Sequence, residues 1–561
     1  MIRKGIKVFA AIAVVTIINS CNTSTIKSNT QQIDKEISIT VTKKYINLPV
    51  SHKVDRAKMS FEIDGKKELN FVIRLARSNP DYWVFFNATA FKDKVLKIKY
   101  SGDPEGLSLV YQDDVINGND SLYKEINRPR IHFSSQRGWN NDPNGMIYYE
   151  GEYHLFYQHN PFERDWENMS WGHAVSKDLI HWQELPVVLY PDTLGSIFSG
   201  TAVIDYKNTS GFGKDGLPPM IAIYTSHSFE NETQCLAFSL DKGRTFTKYF
   251  GNPVLDSKKR WNSKDLRDPH VFWYEPDKRW VMVIYERDGN SIYTSPNLIT
   301  WDYQSHVTGF FECPQLFKLP VNGNISNQKW VMYGASGTYM IGSFNGETFT
   351  PESGKYYYGN GALYAAQTFN NIPLSDGRRI QIGWGRIVHP GMPFKNMMLL
   401  PTELTLRTTK EGIKLFNTPV KEIDNLHESE IAWNNLDAAK ASEALQQFNN
   451  PISLRIKFKV KLSHSTDAGL LLSGQPIFKY DMNQNLINGL FYSPEDRTSM
   501  EINADIIIDK TSVEVFVDNG SFSYAIERRA KPENNDGFKF FGNNIEVKNL
   551  TVYPLKSIWY N

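Results

Sequence analysis

Only three cysteines occur in 561 residues, at positions 21, 235 and 313, too few and too scattered for a disulfide framework. No histidine is placed near Cys313 so as to activate it, and Cys235 and Cys313 read as buried thiols. An excess of one charge is missing as well. Lys+Arg total 62 against 61 Asp+Glu, a net charge of +1, which argues against nucleic acid as a partner. Neither His-x-x-x-His nor Asp-x-Asp spacing is present, nor a phosphate-binding loop or a Rossmann glycine pattern, so no metal and no nucleotide cofactor is expected. Long apolar runs are confined to one stretch, residues 8–18, too short for a stable membrane span.

That stretch follows Arg3, Lys4 and Lys7 and ends Ile18-Asn19-Ser20-Cys21. The pattern resembles a bacterial lipoprotein signal with Cys21 as the acylated residue; an ordinary secretory signal is the alternative. Residues 22–36 then read as a polar tether. The expected location is the bacterial cell envelope, with a lipid anchor as the only contact with membrane.

What the chain has in abundance is aromatic side chains, 13% of residues, set in short strand-like runs. Residues 37–125 show period-two strands separated by turns such as Asp64-Gly65 and are expected to form a small β-sandwich. Residues 430–561 are read as a second sandwich. Between them, over 128–425, a turn element recurs: Ser176 to Trp182, Ser239 to Phe246, Ser295 to Trp301 and Ser343 to Phe349. Each is a Ser, a turn with Asp or Asn, and a closing aromatic. Their spacing, about 50 to 65 residues, suits four-stranded blades, and the region holds roughly five. The expected fold is all-β, a five-bladed β-propeller flanked by an N-terminal and a C-terminal β-sandwich.

Three carboxylates stand just ahead of a proline at the head of a repeated strand unit: Asp142-Pro143, Asp268-Pro269 and Glu312-Cys313-Pro314. Equivalent positions in a cyclic repeat converge on one axis, so acids remote in sequence can share a pocket. Asp103-Pro104 serves as a control, since Asp-Pro alone is usually a turn initiator.

Trp139-Asn140-Asn141-Asp142-Pro143-Asn144-Gly145, Arg267-Asp268-Pro269 and Glu312-Cys313-Pro314 together resemble glycoside hydrolase family 32, the invertases, inulinases, levanases and fructan exohydrolases. Tyr157 to Pro161, Trp171 to Ala174, Phe198 to Gly200, Tyr364 to Thr368 and Asp509 to Phe516 match in order. The resemblance implies that Asp142 attacks C2 of fructose, that Glu312 acts as acid and then base, and that Asp268 grips ring hydroxyls. Two carboxyls roughly 5–5.5 Å apart cannot both ionise easily, so a raised pKa is expected on Glu312. Asn141, Gln158, Ser199 and Arg267 are the expected polar contacts, with Trp166, Trp171, Phe198 and Trp384 as apolar walls. For each ring, packing between blades is the competing role.

The implied activity is release of terminal fructosyl units from fructans through a covalent fructosyl-enzyme. An endo-acting levanase, a fructosyltransferase and a non-catalytic fructan-binding protein are the alternatives. One stretch departs from the family: residues 356–363, Tyr-Tyr-Tyr-Gly-Asn-Gly-Ala-Leu, lack the acid that many members carry there. That departure favours fructan chains over dedicated invertase activity.

Overall fold

The computed structural model describes residues 35–559 apart from 257, 259, 260, 262, 449–452, 463–466, 493–500 and 530–536. The signal segment, Cys21 and most of the tether lie outside the described residues. Among the described residues no helix is long and apolar enough to cross a membrane.

At the N-terminal end a four-stranded sheet packs on a three-stranded one. In strands Ala57–Ile63 and Lys66–Ile73, Met59, Phe61, Ile63, Leu69, Phe71 and Ile73 are buried while most of their neighbours are not, the alternation that a one-sided sheet demands. Here the Asp103-Pro104 pair is a turn: the Asp103 carboxylate accepts the Glu105 N–H at 3.0 Å and caps a short 3-10 helix.

Five antiparallel blades follow, the last two joined into one nine-stranded sheet where Val321 pairs in parallel with Leu406, and blade 1 extended by a short parallel strand, Phe394–Lys395. Their first strands are Gly138–Tyr149, Ser196–Ile204, Leu266–Tyr274, Gln315–Val321 and Leu363–Thr368, numbered here as blades 1 to 5. These first strands surround the axis. The Asn370 amide donates to the carbonyls of Ala202 and Val271, joining blades 2, 3 and 5, and Thr201 Oγ1 donates to Pro269 O at 2.6 Å.

The recurring turn joins the third and fourth strands. In blade 1 Asp178 Oδ1 accepts the N–H groups of Ile180 and His181, and Trp182 folds back to donate to Leu179 O. Blade 3 repeats this arrangement with Asn297, Trp301 and Leu298. A side-chain oxygen that replaces a backbone acceptor in this way is why Asp or Asn recurs at that place.

The C-terminal sandwich packs two sheets around a core that includes Ile456, Phe458, Leu470, Phe478, Val515 and Val547. It grips the entry to blade 1 directly. The buried Asp509 carboxylate accepts the backbone N–H groups of Arg130 and Ile131 and pairs with His132 Nδ1 at 2.8 Å, while His132 Nε2 lies 2.6 Å from Glu514. Burial pushes the His132 pKa down, but hydrogen bonds and charge from Asp509 and Glu514 together outweigh it and lift it to about 9. The imidazole is thus held between two carboxylates that favour its protonated form.

Candidate active site

The acid–proline pairs sit where the first strands break register. Ladder slips fall between Asn140 and Pro143 in blade 1 and between Arg267 and His270 in blade 3. Proline has no N–H to give, so it suits an interrupted ladder, and the bulge turns the preceding side chain toward the axis. Asp268, Glu312 and Cys313 have φ of +62°, +50° and +41°, a left-handed conformation uncommon for residues other than glycine. Gly145 shows how tightly this is built. At φ +48° an added Cβ would meet the Phe156 ring at 2.9 Å and the Trp171 ring at 3.0 Å.

One sulfur marks where the acids meet. Cys313 Sγ lies 3.5 Å from Asp142 Oδ2 and 3.5 Å from Asp268 Oδ2, and the Cys313 N–H donates to Asp268 at 3.1 Å. Its thiol pKa is pushed well up by burial and by the acids around it, so it serves as a neutral donor and not a nucleophile. Asp142 also accepts the Ser199 hydroxyl at 2.7 Å and the Gln158 amide at 3.3 Å, and that amide donates to Ser199 Oγ at 2.5 Å.

Glu312 is held differently. Arg267 Nε donates to its Oε1 at 3.1 Å and the Tyr364 hydroxyl to its Oε2 at 2.8 Å. Arg267 is anchored in turn by Asp265 at 2.6 Å and Glu232 at 3.2 Å.

Burial raises the Asp142 pKa to about 7, with the Glu312 charge adding to it against the Ser199 hydrogen bond. Asp268 is pushed well up by burial, then by Glu312 and Asp142. The geometry puts the burial penalty on Asp142 and Asp268, because their carboxyls are enclosed while the Glu312 side chain keeps 24% of its surface open.

The other expected residues divide into two groups. Asn141 precedes Asp142 on its strand, Trp384 pairs with Tyr364, the donor to Glu312, and Asn141 Oδ1 and Trp384 Nε1, with Trp139 Nε1, are buried without a partner among the described residues. Unsatisfied buried polar atoms are costly unless a ligand completes them. Trp384 stands edge-on to Trp139 and Tyr364. Trp166, 47% exposed, faces Phe198, which stacks on His227 at 4.2 Å.

Trp171 and Ser199 have no surface open to a ligand. The expectation that Trp171 walls the pocket is thereby corrected. Its ring fills the seam between blades 1 and 2 against Phe156 and Tyr224, and its N–H donates to Phe198 O. Ser199 acts on Asp142 rather than on a sugar.

Sequence reasoning passed over Tyr364, Glu232 and the Cys313 donor. Tyr364 had a signal, since it opens the matched stretch Tyr364 to Thr368; Glu232 had none. The acid-free stretch 356–363 buries Tyr358, and its Asn360–Gly361 pairs with Tyr524 and Ala525 of the C-terminal sandwich.

A carboxylate held by neutral donors, facing a second held by a cation and a phenol, can divide nucleophile from proton donor. Residues 132–419 match the Glycosyl hydrolases family 32 N-terminal domain. The chain is similar to a levanase of Bacillus subtilis, 38% identical over 506 residues, covering 81% of this chain and 74% of the relative. It is similar also to an extracellular exo-inulinase of Aspergillus niger, 33% identical over 72% of this chain and 89% of the relative. In structure it resembles the exo-inulinase of Aspergillus awamori, with TM-score 0.66 and 27% identity over 78% of this chain and all of that one. A fructofuranosidase of Schwanniomyces occidentalis complexed with fructosylnystose gives TM-score 0.66 and 26% identity over 78% and 98%. The acids, the propeller that gathers them and these likenesses make the chain a member of glycoside hydrolase family 32, and a glycoside hydrolase.

Proposed function

We propose that the chain is a retaining β-fructosidase that releases terminal fructose from fructans, with Asp142 as nucleophile and Glu312 as acid and base. The observation that carries this reading is the unequal holding of the two carboxylates, Asp142 by Ser199 and Gln158, Glu312 by Arg267 and Tyr364. Asp142 attacks C2 of the fructosyl unit, the C2–O bond breaks, and the Glu312 proton passes to the departing oxygen. Glu312 then takes a proton from water, which attacks C2 and frees Asp142. The productive form has Asp142 ionised and Glu312 protonated. Asp268, close to Asp142 through Cys313, accepts hydrogen bonds from ring hydroxyls and stabilises the positive charge that develops.

Levanase and exo-inulinase relatives support a fructan as substrate, and similarity to Invertase 1 of Saccharomyces cerevisiae, 35% over 65% of this chain, keeps sucrose among the compounds to test. The deciding experiment is a product time course on levan, inulin and sucrose, beside Glu312→Ala. Fructose alone from the earliest points supports exo cleavage and ranks the linkages. A ladder of oligosaccharides would make the enzyme an endo-levanase, transfer products a fructosyltransferase, and no release at all a binding protein. Export with acylation at Cys21 is proposed on the N-terminal sequence; metabolic labelling with a fatty acid, lost in Cys21→Ser, tests it.

A further inference from the structure

Residues 161–169, which link the second and third strands of blade 1, belong as much to the N-terminal sandwich as to the propeller. Phe162 stacks on Phe71 at 3.8 Å and is part of that sandwich's core. Glu163, with no exposed surface, accepts hydrogen bonds from Arg56 Nε at 3.0 Å, Arg74 Nη1 at 2.8 Å and the Arg74 N–H at 2.7 Å. The Asn168 side chain takes the Val72 N–H and gives to the Val72 carbonyl, both at 2.9 Å, as a further strand would. Between these two clamps stands Trp166, nearly half open to solvent and edge-on to Phe198.

The same loop reaches residues 392–395, which lie beside the start of blade 1. Arg164 donates to Met392 O at 2.7 Å and lies over the Tyr82 ring of the sandwich. Asp165 bonds Arg74 at 3.0 Å and lies 3.9 Å from Lys395, whose ammonium sits over Trp139.

An exposed ring on irregular backbone has little of its own to hold it, and a wall that wanders loses affinity to the cost of ordering it. The loop on either side of Trp166 is tied to the propeller through Asn160 and Met392, but its enclosed charge, Glu163, and the strand-like pairing of Asn168 run to the sandwich. We infer that the N-terminal sandwich is the scaffold of the pocket's outer wall, and that Glu163 is the positioning residue through which it fixes Trp166. This rests on the functional reading proposed above, with Trp166 as the wall of its pocket that the family resemblance implies. Arg56, just before strand Ala57–Ile63, and Arg74, just after strand Lys66–Ile73, converge on one enclosed carboxylate, so the loop is keyed to the sandwich by charge as well as by shape.

The test uses the full-length enzyme on a short fructan oligosaccharide, with kcat, KM and melting temperature measured for Glu163→Gln, Trp166→Ala and the double variant. Expected for Glu163→Gln is a KM raised about tenfold, the worth of one well-placed ring contact, with kcat within about twofold. The double variant should be no worse than Trp166→Ala, because Glu163 acts through that ring. An unchanged KM in folded, active Glu163→Gln, or penalties that multiply in the double variant, would overturn the inference while leaving the functional reading intact. If Glu163→Gln does not fold, Asn168→Ala breaks the second clamp and carries the same expectation. A wild type that hydrolyses no fructan would overturn both.

Discussion

Replacing the nucleophile candidate should make the protein more stable, and by an amount that depends on pH. Asp142 is enclosed, and burial raises its pKa from 3.8 to about 7. The native state therefore binds this proton more tightly than the unfolded chain does. Stability falls as pH rises between those two values, since the native state must either keep the proton or leave a charge poorly solvated. At 1.36 kcal/mol per pKa unit the full difference is about 4 kcal/mol. Asp142→Asn keeps the shape and an oxygen to accept the Ser199 hydroxyl but has no charge to bury. Equilibrium or calorimetric unfolding of both proteins at pH 4, 6 and 8, without ligand, should show near-equality at pH 4 and Asp142→Asn ahead by up to about 4 kcal/mol at pH 8. The variant should hydrolyse nothing at any of these values. A gain that does not vary with pH, or a loss at pH 8, would refute the assignment of the burial penalty to Asp142.

His132 gives the opposite kind of substitution. His132→Gln should cost about 3 kcal/mol near pH 6, the worth of moving its pKa from 6.5 to about 9, and the deficit should shrink as pH rises from 6.5 through 9, read by denaturant unfolding. Tyr364→Phe should lower kcat about tenfold or more through loss of its bond to Glu312, with the melting temperature unchanged. Trp171→Phe should lower stability by about 1–3 kcal/mol and leave KM alone; a raised KM would return that ring to the pocket wall.

The acids were legible because backbone chemistry writes itself into sequence. A register break that turns a carboxylate to the axis favours a residue without an N–H directly behind it, and Pro143 and Pro269 supply that signature. The turn repeat was legible for the same reason, as Asp178 and Asn297 substitute for backbone acceptors. Trp171 misled because a motif specifies a ring and not which side of the strand pair it fills. Glu163 and Glu232 were invisible, since their value lies in Arg56, Arg74 and Arg267, contacts that join separate strands and modules. The Asp142 pKa was beyond reach for a related cause: enclosure is a property of all the blades together.

The hold of Asp509 and Glu514 on residues 130–132 bears on the order in which the molecule is completed. Every group that meets at the acids lies before residue 400. Blade 1 starts with holds from that region too, Pro393 on Gly138 and Met398 on Phe133, but residues 130–132 just ahead of it are held from beyond residue 500. During synthesis the chain passes through lengths at which all three carboxylates have emerged while the entry to blade 1 still lacks its Asp509 and Glu514 holds. Activity should therefore arrive late and abruptly along a series of nascent chains, with the last module and not with the last catalytic residue.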